Sequence, residues 1–265
     1  SNDLGIGVIS INSEDYPKKL KYIEDPPLVL FTKGNISALK NERHVAVIGK
    51  REPSKYGFNS AFEIGSKLAK TSNIVSGLAL GCDLQDHKGC LDQNGIGIGV
   101  LAHGLDEIYP SLSKNVSEKL IENGGLLISE YPIKTNATKY NFIERDRIQS
   151  GISDIVFVIE TNQEGGTMHT VKHSLKQNRV LVCLEFPEEA YFQGYAQCNK
   201  TIIQKKHALP FSSSNDNLDQ FIDSLKIQND QKIKVNINTS SDQGSFEFWY
   251  LKYLKVTYAK MTKKN

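Results

Sequence analysis

The chain has 265 residues, 39% of them hydrophobic, and its 32 basic and 30 acidic side chains give a formal net charge of +2. This length and apolar share allow one main domain with a full core and a small appendage. The balanced charge excludes a uniformly basic protein, so any surface for nucleic acid must come from local clusters of Lys and Arg.

No apolar run in the sequence is long enough to cross a bilayer, and we expect a cytoplasmic protein. The cysteines show neither the CxxC pairs of a zinc ribbon nor the spacing of a disulfide scaffold. We therefore predict no metal site and no cofactor, and we expect buried or idle thiols at Cys82, Cys90, Cys183 and Cys198.

The chain divides into three parts by composition. Residues 1–43 contain a Pro26-Pro27 pair and an extended apolar run, and we predict a strand-bearing cap that packs on the core. Residues 44–228 form the predicted main domain. Residues 229–265 are predicted as a polar linker followed by a short aromatic-basic element.

Short apolar runs alternate with amphipathic segments in the main domain. The predicted strands are HVAVIG, NIVSG, GIGIGVLA, GGLLISE, DIVFVIE and RVLVCLE. The predicted helices run from Ser54 to about Lys70, from Asp83 to about Gln93, around Arg145 to Ser150, and from Thr167 to about Gln177. This alternation predicts an α/β fold with a doubly wound, mostly parallel sheet and helices on both faces. Ligands of such sheets bind beyond the carboxyl ends of the strands.

The loop after the first strand of the main domain, in VAVIGKREPSKYG, has the features of an anion site. Gly49 allows a tight exit from the strand, and Ser54 is placed to cap the next helix, whose free N–H groups attract an anion. Arg51 adds a fork of donors suited to phosphate oxygens, and Lys50 adds a second positive charge. An isolated arginine is more often paired with a surface carboxylate.

The next strand exit, SGLALGCD, repeats the arrangement with Ser76 and Gly77 at the strand end and Asp83 as the expected helix cap. Two adjacent turns of this kind predict one shared pocket. Asp83 and His87 lie four residues apart, which suits a metal, but no third ligand has suitable spacing. We favour a cap and a packed or hydrogen-bonded histidine.

The segment NFIERDRIQSG places Arg145 and Arg147 after Phe142. Arginines for phosphates beside an aromatic ring for base stacking are typical of sites for single-stranded nucleic acid. Stacking surface from neighbouring loops is a weaker expectation, because a single tyrosine more often packs at a rim; the candidates are Tyr56, Tyr109 and Tyr131.

The segment ETNQEGGTMHT leads through Gly166 and Thr167 into a predicted helix. Glu160 and Glu164 could act as a catalytic acid–base pair, but neither a nucleophile nor a set of metal ligands accompanies them in the sequence. The GxSxG, HExxH and GxxxxGK[ST] motifs are all missing, so the common hydrolase, metalloprotease and P-loop functions lack support.

Together these motifs resemble the DNA-processing protein A family (DprA, also called Smf), which comprises bacterial recombination mediators. The resemblance runs from about Gly5 to Leu225. The matching segments are YPKKL, DPPLVLFTKGN, VAVIGKREPSKYG, IVSGLALGCDLQDHKGCL, GVLAHGLDEIYP, LLISEYP, FIERDRIQSGISDIVFVIE, EGGT and ALPFSSSNDNLDQFIDSL.

The resemblance implies an extended Rossmann-like domain that binds single-stranded DNA without being an enzyme. It also implies a homodimer and a role in loading a RecA-type recombinase onto DNA during transformation or recombination. With Lys50 added from the first loop, the implied DNA contacts are Arg51, Ser54, Ser76, Gly77, Phe142, Arg145, Arg147, Gly166 and Thr167. We expect the phosphate contacts to make binding fall steeply with added salt, while stacking keeps it nearly independent of sequence.

The sequence also departs from the family pattern. The usual Arg-Asn-Arg is Arg145-Asp146-Arg147 here, which places a carboxylate between two implied phosphate ligands. We expect Asp146 either to weaken DNA binding or to form a structural pair. Ser-Gly-Ser is replaced by Gly165-Gly166-Thr167, an Ala by Asp86, and Gly-Ala by Lys205-Lys206.

Two other functions remain open from the sequence. One is a nucleotide sensor or an enzyme similar to phosphoribohydrolases of nucleoside monophosphates, whose segment PGGxGTxxE resembles EGGTMHT. The glutamate three places after the threonine is Thr170 here, which argues against hydrolysis. The other is a protein-interaction module.

Overall fold

A nine-stranded sheet runs through the computed structural model, which describes residues 4–40, 43–162, 165–213 and 217–225. In spatial order its strands are β1, β2, β6, β5, β4, β3, β7, β8 and β9. Their bounds are β1 Ile6–Ser10, β2 Val29–Gly34, β3 His44–Ile48, β4 Asn73–Ser76, β5 Gly97–Leu101, β6 Leu126–Ser129, β7 Ile155–Val158, β8 Val180–Leu184 and β9 Leu209–Phe211. Strands β3 to β9 pair in parallel, whereas β1 with β2 and β2 with β6 pair antiparallel.

Helices lie between most of these strands. Their bounds are α1 Lys18–Lys21, α2 Lys55–Leu68, α3 Cys82–Asp92, α4 Lys114–Glu122, α5 Lys139–Gly151, α6 Thr167–Lys176, α7 Glu188–Phe192 and α8 Gln197–Gln204. Residues 218–225 are also helical, and short 3₁₀ turns occupy Ile36–Lys40 and Ser111–Ser113. In the described residues no helix combines the length and the hydrophobicity that a membrane span requires.

The central strand β3 shows why the sheet is covered on both faces. All five of its residues are buried, and alternate side chains point to opposite sides. Val45 and Val47 join a cluster that includes apolar residues of α2 and α3, while Ala46 and Ile48 join one with residues of α5 and α6. The predicted α/β fold with a doubly wound, mostly parallel sheet is therefore confirmed.

The strand order places a switch point between β3 and β7. From β3 the chain steps outward through β4 and β5 to β6, and α5 then carries it back to β7 on the other side of β3. The crossovers after β3 and β7 therefore leave in opposite directions, which opens a crevice beyond their carboxyl ends.

The lead-in joins the same sheet. Strands β1 and β2 extend it beyond β6, with Phe31 opposite Ser129, so the expected strand-bearing segment contributes two antiparallel strands. The boundary at residue 43 stays a prediction, and the predicted linker and terminal element at 229–265 lie outside the described residues.

Two segments differ from the predicted elements. Helix α5 begins at Lys139, six residues before the predicted start, because the Thr138 side chain accepts a hydrogen bond from the Asn141 N–H and caps it. The chain after the last predicted strand contains α7 and α8, two helices that are not among the predicted ones.

Candidate nucleic-acid interface

A cleft of about 710 Å³ opens at the switch point. It is bordered by the loop after β3, the first turns of α3 and α6, one side of α5, and Tyr109 from the loop after β5. Six of the ten implied contact residues line it, namely Lys50, Arg51, Phe142, Arg145, Gly166 and Thr167. The other four, Ser54, Ser76, Gly77 and Arg147, do not.

The mouth of the cleft carries an arginine stacked on an aromatic ring. The Arg51 guanidinium carbon lies 4.8 Å from the centroid of the Phe142 ring, and Arg51 is exposed. The Tyr109 ring lies 6.1 Å from that of Phe142 and is 56% exposed. This arrangement brings together, at one edge of the sheet, a hydrogen-bond donor suited to phosphate and two aromatic surfaces suited to base stacking.

Arg145 lies beneath this mouth and is committed to the protein. It is 4% exposed, and its Nη1 donates to the backbone oxygen of Val100. Its Nε lies 3.3 Å from Oδ1 of Asp146, and its charge also interacts with Asp83. A side chain at Gly77 would collide with this guanidinium, so the glycine makes room for Arg145.

Two buried carboxylates of the cleft have raised pKa values. Burial raises the pKa of Asp146 to about 7, and repulsion from Asp83 adds to the effect, while the Arg145 charge and the Thr170 hydroxyl oppose it. Burial likewise raises the pKa of Asp83 to about 6, against the attraction of Arg145. Asp146, which departs from the family pattern, thus forms an ion pair with Arg145 and also faces the cleft.

Replacing Asp146 with asparagine should stabilise the fold more at about pH 8 than at about pH 5. The pKa of Asp146 is about 7 in the folded protein and near 3.8 in the unfolded chain. The contribution of Asp146 to stability is therefore complete below pH 3.8 and is lost as the pH rises through about 7. One pKa unit corresponds to ~1.36 kcal/mol, so the gain at alkaline pH is on the order of a few kcal/mol. Thermal melting of both proteins across this pH range measures it.

The control for this comparison is Glu118→Gln, which changes an exposed carboxylate on α4. Its melting temperature should follow that of the unchanged protein at every pH. A pH-independent difference between Asp146→Asn and the unchanged protein would contradict the assignment.

The anion site predicted at the start of α2 is occupied by the protein itself. Glu160 is 0% exposed, and its Oε2 accepts from the Ser54 N–H at 3.0 Å and the Ser54 hydroxyl at 2.7 Å. Its Oε1 pairs with Lys50 Nζ at 3.0 Å. An internal carboxylate therefore takes the position expected for a phosphate, and it uses both Ser54 and the Lys50 charge.

Arg147 lies on the opposite side of α5 from the cleft. Residues two apart on a helix do not share a face, so Arg145 and Arg147 point apart. Arg147 makes a bidentate pair with Glu130, with both contacts at 2.7 Å, and its Nε also reaches Asp25. These contacts make Arg147 a structural residue that ties α5 to the lead-in and to the loop after β6.

The second loop also differs from its prediction. Ser76 is 0% exposed and donates to the backbone oxygen of Val47. Asp83 does not cap α3, because the cap position is Gly81 at φ +80°. The Oδ2 of Asp83 instead accepts a hydrogen bond from the Gly77 N–H at 3.1 Å. His87 is packed in the core, and desolvation lowers its pKa to about 3.

The sequence did not point to Gln149 as a cleft residue, and it pointed to Asp146 only through its charge. Asp146 and Gln149 follow Phe142 by four and seven residues, which is the spacing of one helix face. This signal was hidden because α5 was predicted to start after Phe142. The other missed lining residues include Lys139, Asn162, His169 and Thr170.

Several other residues named from the sequence can be located in the described part of the chain. The four thiols are buried and free. No cluster of three potential metal ligands occurs there. Tyr56 packs on Phe186, with ring centroids 4.8 Å apart, and does not line the cleft. Glu164 lies outside the described residues.

The sheet and the cleft at its switch point define an extended Rossmann-like α/β protein with a crevice where sheets of this kind usually bind their ligands. The chain belongs to the family described as DNA recombination-mediator protein A, whose sequence profile matches residues 7–222. The predicted family membership is thereby confirmed.

Relatives and solved structures agree with this assignment. The chain is 36% identical to DNA processing protein DprA of Bacillus subtilis over 66% of its length and 59% of that protein. It is 38% identical to Protein Smf of Escherichia coli over 68% of its length and 48% of that protein. It therefore spans about half to three-fifths of these relatives.

Two solved structures share the fold. DNA processing protein A of Streptococcus pneumoniae superposes with a TM-score of 0.72 at 30% identity, covering 79% of this chain and 73% of that one. DNA processing protein A of Helicobacter pylori, described for its single-stranded DNA binding mode, has a TM-score of 0.73 at 26% identity and covers 84% of this chain and 96% of that one.

Proposed function

We propose that the cleft binds single-stranded DNA and that the chain acts as a recombination mediator without enzymatic activity. The observation that carries the proposal is the Arg51 guanidinium stacked 4.8 Å from the Phe142 ring at the switch point. An aromatic platform beside an exposed cation suits a base and its phosphate, and every base offers a face for stacking.

Similar proteins support the same function. The Helicobacter pylori relative is described as a single-stranded DNA binder, and the family is named for recombination mediation. From the family resemblance we further propose a cytoplasmic homodimer that helps to load a RecA-type recombinase. Light scattering after size exclusion tests the dimer, and a strand-exchange assay with a RecA-type protein tests the loading step.

The charges of the cleft determine how binding depends on salt. Lys50 is paired with Glu160 and Arg145 with Asp146. Arg51 and Lys139 are exposed and form no salt bridge with a carboxylate in the described part of the chain. We therefore assign the phosphate contacts to these two residues, a smaller number than the sequence suggested.

Binding to oligothymidylate should depend only moderately on salt. Each phosphate contact with a single strand contributes a slope of about −0.7 in log K against log salt, so two contacts give about −1.4. Arg51→Ala should lower the affinity and reduce the slope to about −0.7. Fluorescence anisotropy at several salt concentrations measures both quantities.

A duplex of equal length and the variant Lys67→Ala serve as controls. Lys67 is exposed in the last turn of α2, away from the cleft, so its removal should change neither affinity nor slope. Equal affinity for duplex and single strand, or no binding to either, would refute the proposed function.

The nucleotide-enzyme alternative is not favoured. Thr170 lines the cleft at the position where the phosphoribohydrolase segment has its glutamate. Thermal shift with nucleoside monophosphates tests this alternative, and strong stabilisation without oligonucleotide binding would support it instead.

A further inference from the structure

The inner part of the cleft differs chemically from its mouth. The mouth presents exposed Arg51 and Lys139, whereas the inner wall presents the carboxylate of Asp146 and the amide of Gln149. Asp146 is 8% exposed and Gln149 is 2% exposed. Groups buried this deeply contact a base more readily than a hydrated phosphate.

Gln149 is an unusual feature of this wall. Its Nε2 is buried and has no hydrogen-bond partner among the described residues. A buried donor without a partner is unfavourable, so it is expected to be satisfied when a ligand is bound. Because Gln149 lines the cleft, a ligand in the cleft is in a position to supply the missing acceptor.

Helical spacing places the reading groups below the stacking ring. Phe142, Asp146 and Gln149 follow one another at intervals of four and three residues along α5, and all three line the cleft. The Asp146 carboxylate is oriented by Arg145 from its own helix and by Thr170 from α6. A base stacked on Phe142 can therefore turn its edge toward one acceptor and one donor.

We propose that Asp146 and Gln149 read the edge of one base and make the cleft prefer guanine. This inference rests on the proposed binding of single-stranded DNA. Guanine presents two adjacent donors, N1–H and N2–H₂, to a carboxylate, and its O6 accepts from an amide. When Asp146 is ionised the inner wall offers this complement, with Asp146 as the acceptor and Gln149 as the donor.

The other three bases match the wall less well. Thymine has a single N–H between two carbonyl oxygens, which a carboxylate repels. Adenine and cytosine each offer one amino group beside a ring nitrogen that accepts, so the second oxygen of Asp146 meets no donor. A good bidentate pair discriminates by ~1–3 kcal/mol, which is about 5- to 150-fold in affinity.

Oligonucleotides with one defined base in every three test the preference. We expect the repeat TTG to bind about tenfold more tightly than TTA, TTC or oligothymidylate of equal length, measured by anisotropy. Inosine in place of guanine removes only N2–H₂ and should lose much of the gain. The 7-deaza analogue keeps the reading edge and should retain it.

Two variants separate base reading from general binding. Asp146→Asn should raise the affinity for oligothymidylate and reduce the guanine preference, because the amide offers one acceptor and adds a donor. Gln149→Leu keeps the volume and removes the unpartnered donor, so the protein should stay folded while the preference falls. Circular dichroism and melting confirm that both variants are folded.

The outcomes distinguish this inference from the proposed function. Tight binding of all four repeats with equal affinity would overturn the guanine preference and leave single-stranded DNA binding intact. Failure to bind any oligonucleotide would overturn both. A preference that survives in both folded variants would overturn the assignment of Asp146 and Gln149 as the reading groups.

Discussion

Replacing Arg147 with alanine is expected to destabilise the fold by about 3–5 kcal/mol, the usual cost of removing one partner of a buried ion pair. The Arg147 side chain is 9% exposed and Glu130 is 17% exposed, so the change leaves a largely buried carboxylate without its partner. It also removes the donors to the backbone oxygens of Asp25 and Glu144. Urea denaturation measures the loss.

The same variant should leave the affinity of the folded protein for single-stranded DNA unchanged, because Arg147 does not line the cleft. Arg51→Ala is the matched control, since it removes an exposed arginine and should affect binding but not stability. A stable Arg147→Ala variant with weakened binding would instead return Arg147 to the DNA site.

Phe142→Ala is expected to weaken binding to oligothymidylate by about 10- to 100-fold. Stacking of one base on an aromatic ring is worth ~1–3 kcal/mol, and the ring also orients the Arg51 guanidinium. Phe142 is only half-buried, so the variant should stay folded. Anisotropy titration gives the affinity, and Phe142→Tyr should keep most of it because the ring is retained.

Tyr22→Ala is the control for loss of an aromatic side chain. Tyr22 is 85% exposed and does not line the cleft, so its removal should leave binding unchanged. If Phe142→Ala binds as tightly as the unchanged protein, stacking on α5 is not part of the site.

The Arg147→Ala and Phe142→Ala variants both change helix α5, whose two faces have different roles. One face presents Phe142, Asp146 and Gln149 to the cleft, and the other anchors the helix through Arg147. The ion pair with Glu130 thus holds the helix that carries the reading groups. A weakened anchor lowers the population of folded protein without changing the chemistry of the cleft.

The sequence by itself determined the fold class and the edge at which the site lies. Apolar runs alternating with amphipathic segments specify strands and helices through contacts that are local in the chain. Parallel strands then bring their exit loops to one edge, so Arg51, Phe142 and Thr167 were expected together. They do line one cleft.

Only the tertiary structure decided which charged groups are available to a ligand. Glu160 reaches Lys50 and Ser54 across more than one hundred residues, and Arg147 finds Glu130 and Asp25 in two other segments. Such pairs depend on the distance between elements after packing, and a charge gains most from the nearest buried partner of opposite sign. Residue type and spacing do not contain that distance. For this reason Arg51 is the one residue of the four implied basic contacts that forms no salt bridge within the described residues, and Lys139 was not predicted at all.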